Sequence, residues 1–146
     1  MTQISVEQFC NHAVSAGAIS PEDLLALKRE VTPDGITCRE EADLLIALER
    51  AVPSSTDFAD YLVALVVDYV VWVERSTGYV DRETAGWLAA SISGRSGPSP
   101  VGARIAQEIV REAQGSAEAL TAFALEANRW VREPASRSRM HFALAA

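Results

Sequence analysis

The sequence predicts an all-α protein, a single compact bundle of about seven helices around a hydrophobic central helix at about residues 56–75. Small polar residues followed by an acidic turn recur along the chain, as they do at helix starts. Apolar residues then recur at spacings of three and four, which is the period of an amphipathic helix. No segment is a convincing strand candidate.

Length and composition support a single globular domain. The chain has 146 residues, of which 49% are hydrophobic and 23% charged. We expect one helical domain over residues 1–134, with the loop 93–99 as a point of subdivision and residues 135–146 as a flexible tail. The start of the chain has no basic segment leading into an apolar run, so the cytoplasm is the expected location.

The charge balance narrows the classes of partner. Thirteen Lys and Arg stand against twenty Asp and Glu, which gives a net charge of −7. Nucleic acids and anionic membranes reward clustered positive charge, so we expect neither as a partner. A protein partner or self-association is expected instead.

The first two helices are predicted from their starts and ends. Ser5 opens a first helix that Gly17 stops. Ser20 opens a second, with Pro21 at its first position, and this helix runs to about Glu30.

The third helix is predicted to begin with a capping box. Thr37 is followed three residues later by Glu40, and Pro53 follows the end of the helix. The apolar stripe of this helix comprises Leu44, Leu45, Leu48 and Val52.

The fourth helix, at about 56–75, is the most apolar part of the chain. If each residue turns about 100°, a polar strip roughly 80° wide runs along it. The strip comprises Asp57, Asp60, Ala64, Asp68 and Arg75. The side chains predicted to point away from it include Phe58, Leu62, Leu65, Val66, Val70, Trp72 and Val73. The apolar run would be about 20 Å long, too short for a bilayer core of about 30 Å.

Three further helices are predicted in the remainder of the chain. Asp81 caps the fifth, and Ser99 followed by Pro100 opens the sixth. Ser116 opens the seventh, which Pro134 ends. The three tryptophans fall on the fourth, fifth and seventh helices, and aromatic residues at helical spacing are expected in the core. No basic residues alternate with them, so base stacking is not expected.

The segment of residues 30–41 suggests a divalent-cation site. Counted as a twelve-residue calcium loop, it places Glu30, Thr32 and Asp34 at the first side-chain ligand positions, Gly35 at the sharp turn and Glu41 at the closing position. Glu30 replaces the usual Asp and Thr32 is neutral. The favoured interpretation is therefore a tight Asp-Gly turn that leads into a capped helix, with a metal held by Glu30, Asp34 and Glu41 as the alternative. No other cofactor is expected.

The same turn carries a family resemblance. It comprises Asp34, Gly35, Ile36, Thr37, Glu40 and Glu41. This pattern resembles the repeat signature of the TerB-like (tellurite-resistance protein B) helical domains, and GYVDRETAGWL and RIAQEIVREAQGSAEALTAFAL are similar to them in layout. The resemblance spans residues 18–127. It implies a compact, non-enzymatic helical module of bacterial stress-response systems, with metal contacts from acidic residues near these turns in some members.

Three further residues are candidates for chemistry. Asp68 lies among valines in the fourth helix, and a buried carboxylate there would be a ligand or an acid–base group. The favoured alternative is that Asp68 and Asp60 face water or a partner's Arg. Arg95 lies in the loop before the sixth helix, where it could meet an anion, although a surface connection is the favoured interpretation.

The known catalytic motifs are missing from the sequence. It contains no H-E-x-x-H, G-x-S-x-G or Walker glycine loop. We therefore expect a non-enzymatic cytoplasmic interaction or regulatory module. The alternatives are a cation-binding protein that uses the acidic turn and an enzyme that uses a buried Asp68.

Overall fold

The computed structural model describes residues 5–132, and most of them are helical, which confirms the all-α class. The helices are α1 (Val6–Ala16), α2 (Pro21–Ala26), α3 (Arg39–Ala51), α4 (Thr56–Asp68), α5 (Arg82–Ser93), α6 (Pro100–Glu112) and α7 (Glu118–Arg132). Two π-helical segments, Leu27–Val31 and Tyr69–Val73, extend α2 and α4. None of the described helices combines the length and apolar character needed to cross a bilayer.

The described residues form two compact units. The first ends at Tyr69 and contains α1 to α4, and the second begins at Val70 and contains α5 to α7. The loop 93–99 lies inside the second unit. The single domain over residues 1–134 stays a prediction, and the expected tail at 135–146 lies outside the described residues.

Most helix starts follow the sequence prediction. Ser5, Ser20, Asp81 and Ser99 each accept a backbone N–H from the residue three positions ahead, at 2.9–3.1 Å. Gly17 ends α1 with a φ of +82°. These caps satisfy backbone groups that the helix ends leave without partners.

The start of α3 differs from its prediction. Cys38, not Thr37, is the N-cap residue, and its side chain makes no capping hydrogen bond. Glu41 Oε1 accepts hydrogen bonds from the backbone N–H of Thr37 at 2.8 Å and from its hydroxyl at 3.0 Å. The capping box with Glu40 is therefore wrong, because the helix begins one residue later and brings Glu41 to the third helical position.

The start of α7 also differs. Ser116 does not open the helix, because Gly115–Ser116 forms a strand β2 that pairs in parallel with β1 (Tyr79–Val80). Gly78 O accepts a hydrogen bond from Gln114 N at 2.7 Å, which joins the two connections side by side. The expectation that no strand forms is wrong for these four residues, since a pairing of distant residues leaves little local pattern.

The core of the first unit is built from α1, α3, α4 and the π-helical segment after α2. Its most deeply buried large side chains include Leu27, Leu45, Ile46, Phe58, Leu62 and Val66. The exposed strip on α4 is confirmed at Asp57, Asp60, Ala64 and Asp68. Each fully buried aliphatic side chain of this kind contributes roughly 1.5–3 kcal/mol to folding.

In the second unit, α5, α6 and α7 pack against one another. Their buried side chains include Leu88, Ile92, Ile105, Ile109 and Leu120. A Cβ atom at Gly102 would lie 2.9 Å from Cγ2 of Ile92, so glycine permits the close approach of α6 to α5.

Two residues predicted to be buried are exposed. Trp72 and Val73 have 39% and 50% of their surface accessible, although both were expected to point away from the exposed strip. The physical reason is the π-helical segment Tyr69–Val73, in which i→i+5 hydrogen bonds place more residues in each turn. An angle of 100° per residue therefore predicts exposure correctly along α4 but not beyond Asp68.

Candidate functional site

The acidic turn occupies the connection between the π-helical segment Leu27–Val31 and α3. Glu30 and Asp34 are exposed, and Glu41 is half-buried in the first turn of α3. Among the described residues, no three His, Cys, Asp or Glu side chains come close enough together to hold a metal ion. One oxygen of Glu41 accepts two hydrogen bonds from Thr37, and a cation site of Glu30, Asp34 and Glu41 stays a prediction.

A pair of hydroxyls, on buried Thr32 and half-buried Tyr61, holds the turn in place. Thr32 is only 2% exposed, and its hydroxyl and its backbone N–H donate to Leu27 O at 2.9 Å and 2.8 Å. The Thr32 and Tyr61 hydroxyl oxygens lie 2.9 Å apart, and since the Thr32 proton is used, Tyr61 donates. The ammonium of Lys28 lies 5.3 Å from the centre of the Tyr61 ring, a cation–π distance.

Asp68 is exposed at the end of α4, so a buried carboxylate at this position is wrong, and exposure agrees with the favoured interpretation. The enzyme alternative stays a prediction. The carboxylate of Asp68 approaches the acidic turn. A Cβ atom built on Gly35, whose φ is +88°, would lie 3.9 Å from Oδ2 of Asp68. Asp60 is exposed on the same face of α4. The structure thus brings the carboxylate of Asp68 to the Asp34–Gly35 turn.

Arg95 is exposed in the loop between α5 and α6. The position agrees with the favoured interpretation of a surface connection. At the start of α6, the hydroxyl of Ser99 accepts the N–H of Gly102. This N–H therefore already has a hydrogen-bond partner within the protein.

The titratable side chains of α1 and α2 serve the fold. Burial raises the pKa of the Cys10 thiol to about 11, and its sulfur lies 3.7 Å from Leu44 O. A thiol with so high a pKa is almost fully protonated at neutral pH and is a poor nucleophile. His12 Nε2 lies 3.5 Å from Oδ1 of Asp23, whose Oδ2 accepts Ser20 N at the start of α2.

An exposed aromatic surface lies in the second unit. We define it by Trp72, Val73 and Tyr79, which are 39%, 50% and 47% exposed. Gly78 N donates to Val71 O at 2.6 Å, so the residues that precede Trp72 and Tyr79 are directly bonded to each other. The three side chains therefore belong to one region of the surface.

Both aromatic rings of this surface have neighbours at the C-terminal end of α6 or in the residues just after it. The indole Nε1 of Trp72 donates to Oε2 of Glu112 at 3.2 Å. The ring of Tyr79 lies against Gly115, where an added Cβ atom would meet Cδ1 at 3.0 Å. These contacts restrict both rings, so binding would cost less side-chain entropy than for rings without such neighbours.

The charges of the two units differ. The described residues of the first unit contain four Lys and Arg and twelve Asp and Glu, a balance of −8. Those of the second unit contain seven Arg and seven Asp and Glu, a balance of zero. The aromatic surface therefore belongs to the second unit, which repels an acidic partner less strongly at long range than the first unit does.

An open groove of about 660 Å³ lies at the starts of α5 and α7. Arg82 and Glu118 line it together with Ala117, Ala119 and Ala122. Its lining has small apolar side chains and only two charged ones, Arg82 and Glu118. Such a lining offers few polar groups that could select a specific small molecule.

Sequence reasoning missed the aromatic surface because it assigned tryptophans to the core. One signal was present: the valines of the run VVDYVVWV, residues 66–73, are β-branched and fit a regular helix poorly. Nothing in the sequence places Glu112 or Gly115 beside the rings, since these residues lie some forty positions along the chain.

Comparison of the chain with protein-family models, with curated proteins and with solved structures finds no match.

Proposed function

We propose that the chain is a non-enzymatic helical interaction or regulatory module, which binds an apolar segment of a protein partner through the aromatic surface. The observation that carries this proposal is the exposure of Trp72, Val73 and Tyr79 in one region, with Trp72 held by Glu112. Isolated exposed apolar residues are ordinary, whereas adjoining aromatic ones are typical of interaction sites.

The energetics of such a surface favour a protein partner. A Trp or Tyr side chain buries about 150–250 Å² when it is covered, and each Å² of apolar area contributes roughly 25 cal/mol. Trp, Tyr and Arg are the residue types that most often dominate binding at protein interfaces. Arg111, which precedes Glu112 on α6, forms an exposed ion pair with Glu108 at 3.1 Å.

The cellular setting is also part of the proposal. Membership of the TerB-like family, a cytoplasmic location and a role in a bacterial stress response are supported by the sequence resemblance over residues 18–127. The non-enzymatic role is supported by the missing catalytic motifs of the sequence and by the inert, buried Cys10 thiol.

The test is partner capture from the host with the full chain as bait. The double variant W72S/Y79S should lose the partner by at least tenfold, because it removes both rings. The matched control V14S/L25S removes two exposed apolar side chains from the first unit and should capture normally.

Two results would contradict the proposal. If W72S/Y79S retained every partner that the natural chain captures, the aromatic surface would not be the binding site. If the purified chain turned over a substrate at a rate typical of enzymes, the non-enzymatic role would be wrong.

A further inference from the structure

We propose that the aromatic surface takes an arginine side chain of the protein partner, which stacks on the indole of Trp72 and pairs with the carboxylate of Glu112. The inference rests on the proposed function, because both concern the same surface, and it adds the chemistry of the partner. The partner segment combines apolar residues, which cover Val73 and Tyr79, with one arginine.

The carboxylate of Glu112 lies at the edge of the Trp72 ring. The indole Nε1 donates to its Oε2 at 3.2 Å. An indole N–H points outward in the plane of the ring, so the carboxylate lies beside the ring and does not cover its faces. Glu112 is exposed, and a carboxylate can accept about four hydrogen bonds, of which the indole takes one. A donor from a partner can therefore reach the same carboxylate.

The face of an indole attracts cations. Its π electrons give the face a negative potential, and tryptophan is the best aromatic partner for a cation. Donation of the N–H to an anion polarises the ring in the same direction. Trp72 is 39% exposed while its N–H is engaged, so the accessible part of the ring is mainly carbon. The first unit already contains a contact of this kind, because the ammonium of Lys28 lies 5.3 Å from the centre of the Tyr61 ring.

Arginine fits this arrangement better than lysine. A guanidinium is planar, so it can stack on the indole of Trp72 while the N–H groups at its edge turn toward Glu112. Its hydrogen bonds to a carboxylate are charge-assisted and can be bidentate. The ammonium of a lysine is a compact, strongly hydrated charge and gains less from stacking.

The surrounding charges favour a basic segment. The charged residues that follow Val73 or occupy the last turns of α6 are three acidic and two basic ones, Glu74, Arg75, Glu108, Arg111 and Glu112. Arg111 is paired with Glu108 at 3.1 Å. The whole chain carries a net charge of −7, so its field at long range attracts a basic partner.

The size of the surface favours a short segment. No more than half of each of the residues Trp72, Val73 and Tyr79 is exposed, so together they offer a few hundred Å². Each side of a stable interface between folded proteins buries roughly 800 Å². A small surface needs a strong anchor, and a stacked arginine that is also paired with a carboxylate supplies one.

Peptide titrations test the charge of the occupant. The probes are short capped peptides of leucine and alanine that differ only at the central residue, which is arginine, lysine or citrulline. Citrulline has nearly the shape of arginine but no charge. Nuclear magnetic resonance of the full chain follows the indole N–H signal of Trp72, assigned with W72F, at millimolar peptide.

The arginine peptide should shift the Trp72 signal and bind about fivefold more tightly than the citrulline peptide, with lysine between them. An unchanged Trp72 signal with the arginine peptide would overturn the proposal. So would equal affinities of the arginine and citrulline peptides, or a lysine peptide that binds as tightly as the arginine peptide.

The variant Glu112→Gln tests the role of the carboxylate. Its amide oxygen can still accept the indole N–H, whereas the negative charge is removed. Affinity for the arginine peptide should fall about threefold, and affinity for the citrulline peptide should stay as it is in the natural chain. Glu126→Gln is the matched control, since it removes the same charge from an exposed position on α7 and should change neither affinity. Equal losses in the two variants, or no loss in Glu112→Gln, would overturn the proposal.

Partner capture distinguishes the failure of this inference from the failure of the proposed function. Glu112→Gln should capture several times less partner than the natural chain or Glu126→Gln. Full capture by Glu112→Gln, with the partner still lost in W72S/Y79S, would overturn the arginine contact and leave the interaction surface standing. Selective binding of the arginine peptide through Glu112, with every partner retained by W72S/Y79S, would do the reverse.

Discussion

At Gly97, two separate physical effects require glycine. The backbone φ is +91°, and a Cβ atom would lie 2.7 Å from the indole ring of Trp130. The other glycines separate these effects, because Gly17 has a positive φ with open space around it, and Gly86 lies within α5 with no heavy atom near. The sequence indicates Gly17 as a helix stop, but it does not indicate the contact between Gly97 and Trp130, which depends on how α7 packs.

Replacing these glycines should give a graded series. Gly97→Ala is expected to cost about 2–4 kcal/mol, from backbone strain plus overlap with Trp130. Gly17→Ala should cost about 1 kcal/mol from strain alone, and Gly86→Ala should stabilise by about 0.5–1 kcal/mol through helix propensity. Urea unfolding measures all three. A Gly97 variant as stable as the Gly17 variant would contradict the close packing.

The hydroxyl pair of Thr32 and Tyr61 should show energetic coupling. Thr32→Val and Tyr61→Phe each remove the hydrogen bond between the two hydroxyls, at a cost of about 1–2 kcal/mol. The double variant should cost less than the two single costs together, with a coupling of about 1 kcal/mol in a double-mutant cycle. Strict additivity would show that the two hydroxyls do not interact in solution.

The buried thiol should make stability fall in alkaline solution. Folding raises the pKa of Cys10 from 9.0 to about 11. Below pH 9 the thiol is protonated in the folded and the unfolded chain alike. Between pH 9 and 11 the unfolded chain releases a proton that the folded chain keeps, so the free energy of unfolding falls by up to about 3 kcal/mol.

Other groups also titrate above pH 9, so the comparison is made between variants. Cys10→Ala should lose this part of the alkaline fall, whereas Cys38→Ala, which alters an exposed thiol, should keep it. Unfolding in urea at several pH values measures the difference. The same pH dependence in both variants would mean that Cys10 does not keep its proton in the folded chain.

At the scale of elements, local sequence patterns place most helices correctly, and two boundaries show where they fail. The predicted start of α3 is displaced by one residue, which moves the capping role from Glu40 to Glu41. The end of α4 changes to π-helical hydrogen bonding at Tyr69. Both changes are small in sequence, yet they decide which side chains face the solvent.

The two neighbouring glutamates of α3 should therefore differ in effect. A negative charge in the first turn stabilises a helix through its dipole by about 0.3–1 kcal/mol. Glu40→Ala and Glu41→Ala both remove such a charge, so both should lose this contribution. Only Glu41 also accepts two hydrogen bonds from Thr37, so its replacement should cost about 1 kcal/mol more. Thermal unfolding of the two variants checks this. Equal destabilisation would contradict the hydrogen bonds of Glu41, and a larger effect of Glu40→Ala would favour the capping box with Glu40.

At the scale of the whole molecule, the question is whether the two compact units unfold together. All three tryptophans, Trp72, Trp87 and Trp130, belong to the second unit, whereas both units contribute helix to the far-ultraviolet circular dichroism. The two signals therefore report on different parts of the chain.

We expect the two unfolding transitions to coincide in urea. The last residues of the first unit and the first residues of the second belong to one uninterrupted helical run, residues 56–73. Melting either unit exposes apolar side chains of that run, which favours cooperative unfolding. Tryptophan emission that changes at a different urea concentration from the circular dichroism would show two independent domains.

Local sequence patterns are enough to predict the helical class, most helix ends and the exposed strip on α4. These features depend on hydrogen bonds and side-chain periods within a few residues, so they are written locally in the chain. Tertiary structure alone decided the exposure of Trp72 and Val73, the pairing of Tyr79 with Gly115 and the contact of Gly97 with Trp130. Each of these results from a change of helical hydrogen bonding or from partners some thirty to forty residues apart, whose meeting depends on the packing of the whole unit.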